Sequence, residues 1–366
     1  MPSAKWEDMK QMKKLTNRHI VKIIMWSLPV AILAAIAFIM TPSILPESHD
    51  GMKRSVVMIE CREYYEIVCN GKVIAYCNDI KSDSTLNIVK AEADSDTERK
   101  AMVCGCWINK FSFIPSCQGR ILTANPFNNN DNLLSMANSN PENIIEKTIA
   151  KHEEMFATDK KREAELNYYL DTHNVKDDGY NTIAAYAEEN KRKKESLLNS
   201  IDILKSLQKE KKIKIRKRNK YVLLYPTTTR KTGRVFCHLL AEESEDAPKG
   251  TIVLQTENEF MPEGANSLYT FKVFCLIPEK GDSIAIAGIF GLTEKSTPNA
   301  ALQKPNVFKG ATISTERHDT PPLLAPNGAP IFNRNGFFIG INNKGGIAQC
   351  CLLYTSPSPR DGATSR

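Results

Sequence analysis

Six histidines are the chain's groups able to exchange a proton near neutral pH: His19, His49, His152, His173, His238 and His318. General-base chemistry needs one of them within hydrogen-bond reach of a hydroxyl or thiol, with a third group orienting the ring. His19 precedes an apolar run and His49 lies in a Pro/Ser-containing linker. His152 and His173 fall in a charged, helix-prone stretch, so a solvated helix face is the expected environment. His238 sits within an apolar strand and reads as a satisfied core residue. His318, in a loop, is the only histidine that could serve as a migrant base, and catalysis by it is not expected. Metal chemistry has less support. The chain holds ten cysteines, but no CxxC pair and no Cys/His cluster with zinc-site spacing. No HExxH and no glycine-rich phosphate loop occurs. No metal and no cofactor is therefore expected. Paired carboxylates such as Glu153-Glu154 read as helix surface. Cys61, Cys69, Cys77, Cys104, Cys106, Cys117, Cys237 and Cys275 suit either disulfides in an oxidising compartment or buried free thiols.

The elements that must position these residues are mostly strands. Segments 55–61, 64–69 and 72–77 are apolar and β-prone, and Asn70-Gly71 is a strong short hairpin signal. Segments 102–108 and 120–123 read as further strands. From about Pro141 to about Lys212 the chain turns charged and helical, broken by NVKDDG at 174–179. This predicts a hairpin of two long arms. Leu197, Ile201, Leu204 and Leu207 form a narrow stripe expected to pair with Ile144, Ile145, Ile149, Leu166 and Leu170. Strand character returns at 221–225, 233–240, 251–255, 269–277, 283–290 and 336–342. Many short strands between turn signals predict a sandwich or a barrel.

Two segments resemble the trypsin/chymotrypsin superfamily, which includes bacterial envelope proteases. Gly105-Cys106-Trp107-Ile108 followed by Gly119-Arg120-Ile121-Leu122-Thr123-Ala124 is similar to the family's strand pair ending in Leu-Thr-Ala-x-His. Asn327-Gly328-Ala329-Pro330-Ile331-Phe332-Asn333, with Gly336 and Phe338-Ile339-Gly340-Ile341-Asn342, resembles the segment that carries the family's nucleophilic serine. Gly281-Asp282-Ser283-Ile284-Ala285-Ile286 is a shorter match to the stretch that carries the triad aspartate. The resemblance implies a mainly β, chymotrypsin-like double β-barrel with a long α-helical hairpin insertion.

It also implies lost chemistry. The family's mechanism needs a serine oxygen, an imidazole and an orienting carboxylate. Carried across residue by residue, the serine position holds Asn327, the histidine position Pro126 and the carboxylate position Asp282. An amide cannot form an acyl-enzyme, and proline cannot take a proton. The oxyanion-loop equivalents are Ala325, Pro326 and Asn327, and proline lacks the N–H such a loop needs. The expected function is a pseudoprotease that binds or scaffolds a protein or peptide partner. One alternative is an active trypsin-like serine endopeptidase whose triad is misaligned. Another is a structural envelope protein with an unrelated β domain, which two six-stranded barrels would exclude.

Residues 23–40 carry no charge and would span about 27 Å as a helix, close to a bilayer core. Lys5, Lys10, Lys13, Lys14 and Arg18 precede them, which predicts a cytoplasmic start and an exported remainder. The competing reading is a cleaved signal peptide, on Ala35-Ile36-Ala37. The expectation is a single-pass protein of a bacterial inner membrane with a periplasmic domain. The formal net charge is +7, and segment 209–220 alone holds eight basic residues against one acidic. Lys209, Lys211, Lys212, Lys214, Arg216, Lys217 and Arg218 are candidates for an anionic surface, with Ile213 and Ile215 alternating between them as in a strand. No nucleic-acid partner is expected. Residues 351–366, CLLYTSPSPRDGATSR, resemble a translated sequencing adapter, so a different natural sequence is expected beyond about Gln349. The expected division is thus a basic segment at 1–19, a membrane helix at 20–40 and a linker at 41–50. After these come a first barrel part at 51–140, the helical hairpin at 141–220, a second barrel part at 221–350 and the adapter-like tail.

Overall fold

The structure, a computed structural model, describes residues 29–37, 45–109, 118–127, 131–210, 212–244, 247–270 and 278–349. A short helix α1 (His49–Arg54), capped by the Ser48 hydroxyl, leads into β1 (Val56–Cys69). β1 is one strand of 14 residues that joins two segments separate in the sequence pattern. β2 (Lys72–Cys77) folds back on it with Lys72 opposite Cys69. Asn70 and Gly71 have φ of 50° and 84°. A tight turn between right-twisted strands demands that left-handed pair, and Asn-Gly adopts it at low cost.

β3 (Arg99–Ile108) pairs with the other side of β1, and β4 (Arg120–Ala124) follows β3. Three helices then intervene: α2 (Asp131–Ser139), α3 (Pro141–Thr172) and α4 (Tyr180–Leu207). The chain returns as β5 (Ile213–Pro226), β6 (Thr232–Ser244) and β7 (Ala247–Thr256). The order β1-β3-β4-β7-β6-β5, with β5 back on β1, closes a six-stranded barrel that carries β2 as an extra strand. A second closed barrel contains β8 (Ser283–Gly288), β9 (Asn306–Ser314), β10 (Arg317–His318), β11 (Pro330–Asn333), β12 (Phe338–Asn343) and β13 (Gly346–Gln349). Counted within each barrel, both follow one strand order, 1-2-3-6-5-4. Two barrels of one Greek-key order fit a chymotrypsin-like fold, and an unrelated sandwich is excluded.

The insertion divides the first barrel rather than separating the two. A boundary at 220/221 would give β5, β6 and β7 to the second barrel, but 12 residues of β5 pair with β1. The helical part ends at Leu207, and the basic run is strand from Ile213 onward.

Strand alternation explains how the barrels meet. Val57, Ile59 and Cys61 of β1 point into the first barrel with Val103, Ile121 and Leu223. Met58, Met102 and Cys104 point out of it, onto Ile284, Ile286 and Ile331 of the second. Beyond the barrel, β2, β1 and β5 continue as a three-stranded extension. Tyr65, Ile67 and Ile215 cover one face of it against Ile145 and Leu204 of the helices. Leu197 and Ile201 are buried as the stripe predicted, while Leu166 and Leu170 are only half-buried.

The second half of the expected linker packs on the barrels, since Glu47 N–H donates to the Gly336 carbonyl at 2.9 Å. Residues 29–37 are helical. Among the described residues no helix is long and apolar enough to cross a membrane. Residues 1–19, most of the expected span at 20–40 and the adapter-like tail lie outside the described residues.

Candidate functional site

The two family-like segments come together at the junction between the barrels. Cys104 N–H donates to the Asn327 carbonyl at 2.8 Å, and the Thr123 hydroxyl donates to the Cys104 carbonyl. Gly328 has φ of 85°, and a Cβ there would lie 1.9 Å from the Cys104 carbonyl oxygen. Only glycine lets the 325–328 turn sit this close to β3.

A buried polar relay fixes that turn from the other side. Thr320 N–H donates to His318 Nδ1 at 3.2 Å, which makes Nδ1 the bare nitrogen. His318 Nε2–H therefore donates to Asn342 Oδ1 at 2.9 Å. Asn342 Nδ2 in turn donates to the carbonyls of Ala325 and Pro326, at 2.6 and 3.1 Å. Gly328 N–H is spent on the Asn342 carbonyl at 2.7 Å. His318 is thus no migrant base: both ring nitrogens are engaged, and the ring holds the turn in place.

Asn327 accepts Lys344 N–H on Oδ1 at 3.2 Å, and its Nδ2 is buried without a partner. Next to it opens a cavity of about 430 Å³, walled by Met102, Leu292, Leu323 and Pro326, with Glu294, Thr320 and Lys344 among its polar groups. Burial pushes the nearby Cys104 thiol up to about 12, so it offers no thiolate at neutral pH.

Pro126 is buried after β4. Its neighbour Asn125 donates from Nδ2 to Glu242 Oε1 at 2.7 Å and from its backbone to the Gly250 carbonyl at 2.9 Å. A carboxylate therefore does stand beside the histidine position, but it is Glu242 on β6, held to an amide. Nothing in the sequence flagged it, because 117 residues separate the pair. Asp282 does not fill that place. Its carboxylate accepts Glu279 N–H at 2.8 Å in the turn before β8, and its backbone carbonyl accepts Thr312 N–H at 3.0 Å. The sequence match at Asp282 reflects the opening of the second barrel's first strand.

The other sequence candidates also move. His152, expected on a solvated face, is buried between α3 and α4 with Nδ1 3.2 Å from Ser200 Oγ. His238, expected in the core, is exposed on β6, two residues from the exposed Phe236 and so on the same outward face. His173 stacks on Tyr169 at the end of α3 with ring centroids 3.9 Å apart. In the basic run, Lys217 pairs with the buried Glu63 at 3.2 Å and Arg218 with Glu66 at 2.9 Å. Those two cations are thus committed within the fold. Lys209, Lys212, Lys214 and Arg216 are exposed, and Lys211 lies outside the described residues. Cys61, Cys77, Cys104 and Cys237 are free thiols, and these four, Cys69 and Cys106 are all buried. Cys117 and Cys275 lie outside the described residues.

No family model matches the chain, and no curated protein matches it. Among solved structures the chain is similar to one titled "Crystal structure of Deg5", at 12% identity over 81% of this chain and 85% of that chain. The TM-score of 0.28 is too low to carry an argument, so the fold assignment rests on the strand order of the two barrels.

Proposed function

We propose that the protein is a pseudoprotease: a chymotrypsin-like double barrel that binds a peptide or protein segment at the inter-barrel junction and does not cleave it. The observation that carries this reading is the state of the 325–328 turn. Asn327 occupies the serine position, Pro326 has no N–H, and the N–H of Ala325 is consumed by the Pro321 carbonyl at 3.0 Å. A tetrahedral oxyanion would find no convergent pair of donors there. The cavity beside the turn remains, with apolar walls and polar groups suited to a side chain and its backbone.

A membrane tether completes the proposal. The charge-free run at 23–40 and the basic residues before it support a single-pass anchor with an exported domain. The test is the full chain in detergent with a casein-type substrate and a serine-directed fluorophosphonate. No labelling and no cleavage are expected. Labelling that disappears when one specific serine is changed would establish the misaligned-triad enzyme instead.

A further inference from the structure

The far end of the three-stranded extension carries charge that the junction does not use. Alternation along β5 buries Ile213 and Ile215 under the helices and turns Lys212, Lys214 and Arg216 outward. Register continues that outward face across the sheet. Lys214 lies opposite Val68, and Val68 lies opposite Val73 of β2. Val73 and Ile74 are 39% and 40% exposed. Lys72 at the start of β2 and Lys209 after α4 are exposed at the same end.

Ion pairing separates these cations from the rest of the basic run. Lys217, Arg218 and Lys220 are paired with Glu63, Glu66 and Glu98. Among the described residues no ion pair includes Lys72, Lys209, Lys212, Lys214 or Arg216. The acidic group at this end is Glu210, which sits 3.4 Å from Asn70 Nδ2 and 3.5 Å from the Cys69 thiol. Glu66 shares the outward face but is neutralised by Arg218. One carboxylate therefore stands against five unpaired cations, around two exposed aliphatic side chains.

We propose that this tip docks on an anionic lipid surface, with Lys72, Lys212, Lys214 and Arg216 on headgroup phosphates and Val73 and Ile74 in the headgroup layer. Charge complementarity selects an anionic partner. The aliphatic pair selects a lipid surface over a soluble polyanion, because a polyanion gives exposed Val and Ile nothing to bury against. Docking here would hold the extension against the bilayer and fix the orientation of the barrels above it.

The test is amide hydrogen exchange of the full chain in lipid nanodiscs, with about 30% phosphatidylglycerol or with phosphatidylcholine alone. On the anionic discs, exchange of 70–76 and 209–216 is expected to slow at least about 5-fold at low salt and to revert in about 0.5 M NaCl. Lys214→Glu with Arg216→Glu abolishes the effect, and Val73→Ser with Ile74→Ser weakens it. Unchanged protection of 101–107 reports that each variant is folded. Equal exchange on both disc types overturns the proposal. So does equal protection by soluble polyphosphate that survives Val73→Ser with Ile74→Ser, which would identify a polyanion site instead.

Discussion

The helical hairpin and the inter-barrel junction each bury a histidine, and the two sites are opposites. In the hairpin a serine does meet a histidine: Ser200 Oγ lies 3.2 Å from His152 Nδ1. That oxygen also accepts Val89 N–H at 2.9 Å, and the imidazole bonds the Leu86 backbone. Both residues are sealed, with Ser200 at 0% and His152 at 2% exposure. At the junction there is a cavity, but its lining has no serine or cysteine, and its histidine is spent on Asn342 and Thr320 N–H. A hydrogen-bonded Ser–His pair is therefore not evidence of catalysis by itself. In one region it docks a loop on two helices, and in the other a histidine relay docks a turn on a barrel. Access and an unengaged lone pair decide the chemistry.

The comparison breaks most severely at Gly328. Any side chain there meets the Cys104 carbonyl in a left-handed backbone. Gly328→Val should cost at least about 4 kcal/mol, because overpacking and backbone strain add. Urea denaturation of the full chain in detergent measures it. A change below about 1 kcal/mol would mean that the turn is not seated on β3 as described.

His152→Ala comes next. It leaves a cavity and removes one hydrogen-bond partner each from Ser200 and Leu86, so a loss of about 3 kcal/mol confined to the hairpin is expected. Burial, then the charge of Lys81, holds His152 below its ordinary value of 6.5. Lys151 acts in the same direction, and the Leu86 backbone opposes it. The unfolded chain therefore takes the proton first as pH falls. Hairpin stability is full above about 6.5 and declines as pH drops from there toward the lower native value. Hydrogen exchange of 85–89 at about pH 7.5 and about pH 5.5 should show faster opening in acid. His152→Ala should remove that pH dependence, whereas a merely local packing role would leave it unchanged.

How far the sequence reached follows the same division. Short-range features were legible. Asn70-Gly71 gave the hairpin, Ile213 and Ile215 gave the strand, and the segments around Thr123 and Asn327 gave a double barrel. What escaped depended on partners far along the chain. Helical spacing could not show that Val89 would seek Ser200 across 111 residues. Nor could charge counting show that the basic run lies beside the acidic β1, where Arg218 and Glu66 are 152 residues apart. Asp282 was misplaced for a related reason. Two barrels built on one strand order offer similar short strand openings, and only pairing shows to which barrel a strand belongs.

Asn342→Leu tests the junction relay with a smaller expected effect. Leucine keeps the volume, so no cavity term arises, but the carbonyls of Ala325 and Pro326 lose their donor and His318 loses its acceptor. About 2 kcal/mol is expected. The readout that separates positioning from plain stability is peptide binding at the cavity. It should weaken under conditions where the variant is still fully folded, since the 325–327 turn is no longer held.

The smallest effect belongs to the exposed edge of the hairpin contact. Asp83 lies against Lys151 and Thr85, and its carboxyl is held down to about 2, first by the Lys151 hydrogen bond and then by the Thr85 hydroxyl. The Asp83 side chain is 50% exposed, so solvent screens the pair. Its contribution is present above the ordinary carboxylate value and is lost as pH falls toward about 2. Lys151→Ala should therefore move Asp83 up toward the ordinary carboxylate range, with the Thr85 bonds still holding it somewhat down, read by NMR titration, while the urea midpoint near neutral pH stays unchanged within error. The same substitution also removes a cation beside His152. Removing that positive charge makes the imidazolium easier to form in the folded state and narrows the gap to the unfolded value. The expected result is accordingly a shallower acid slope at 85–89, with its upper edge still near 6.5. A slope as steep as in the parent would show that burial and Lys81 set the titration of His152 without Lys151.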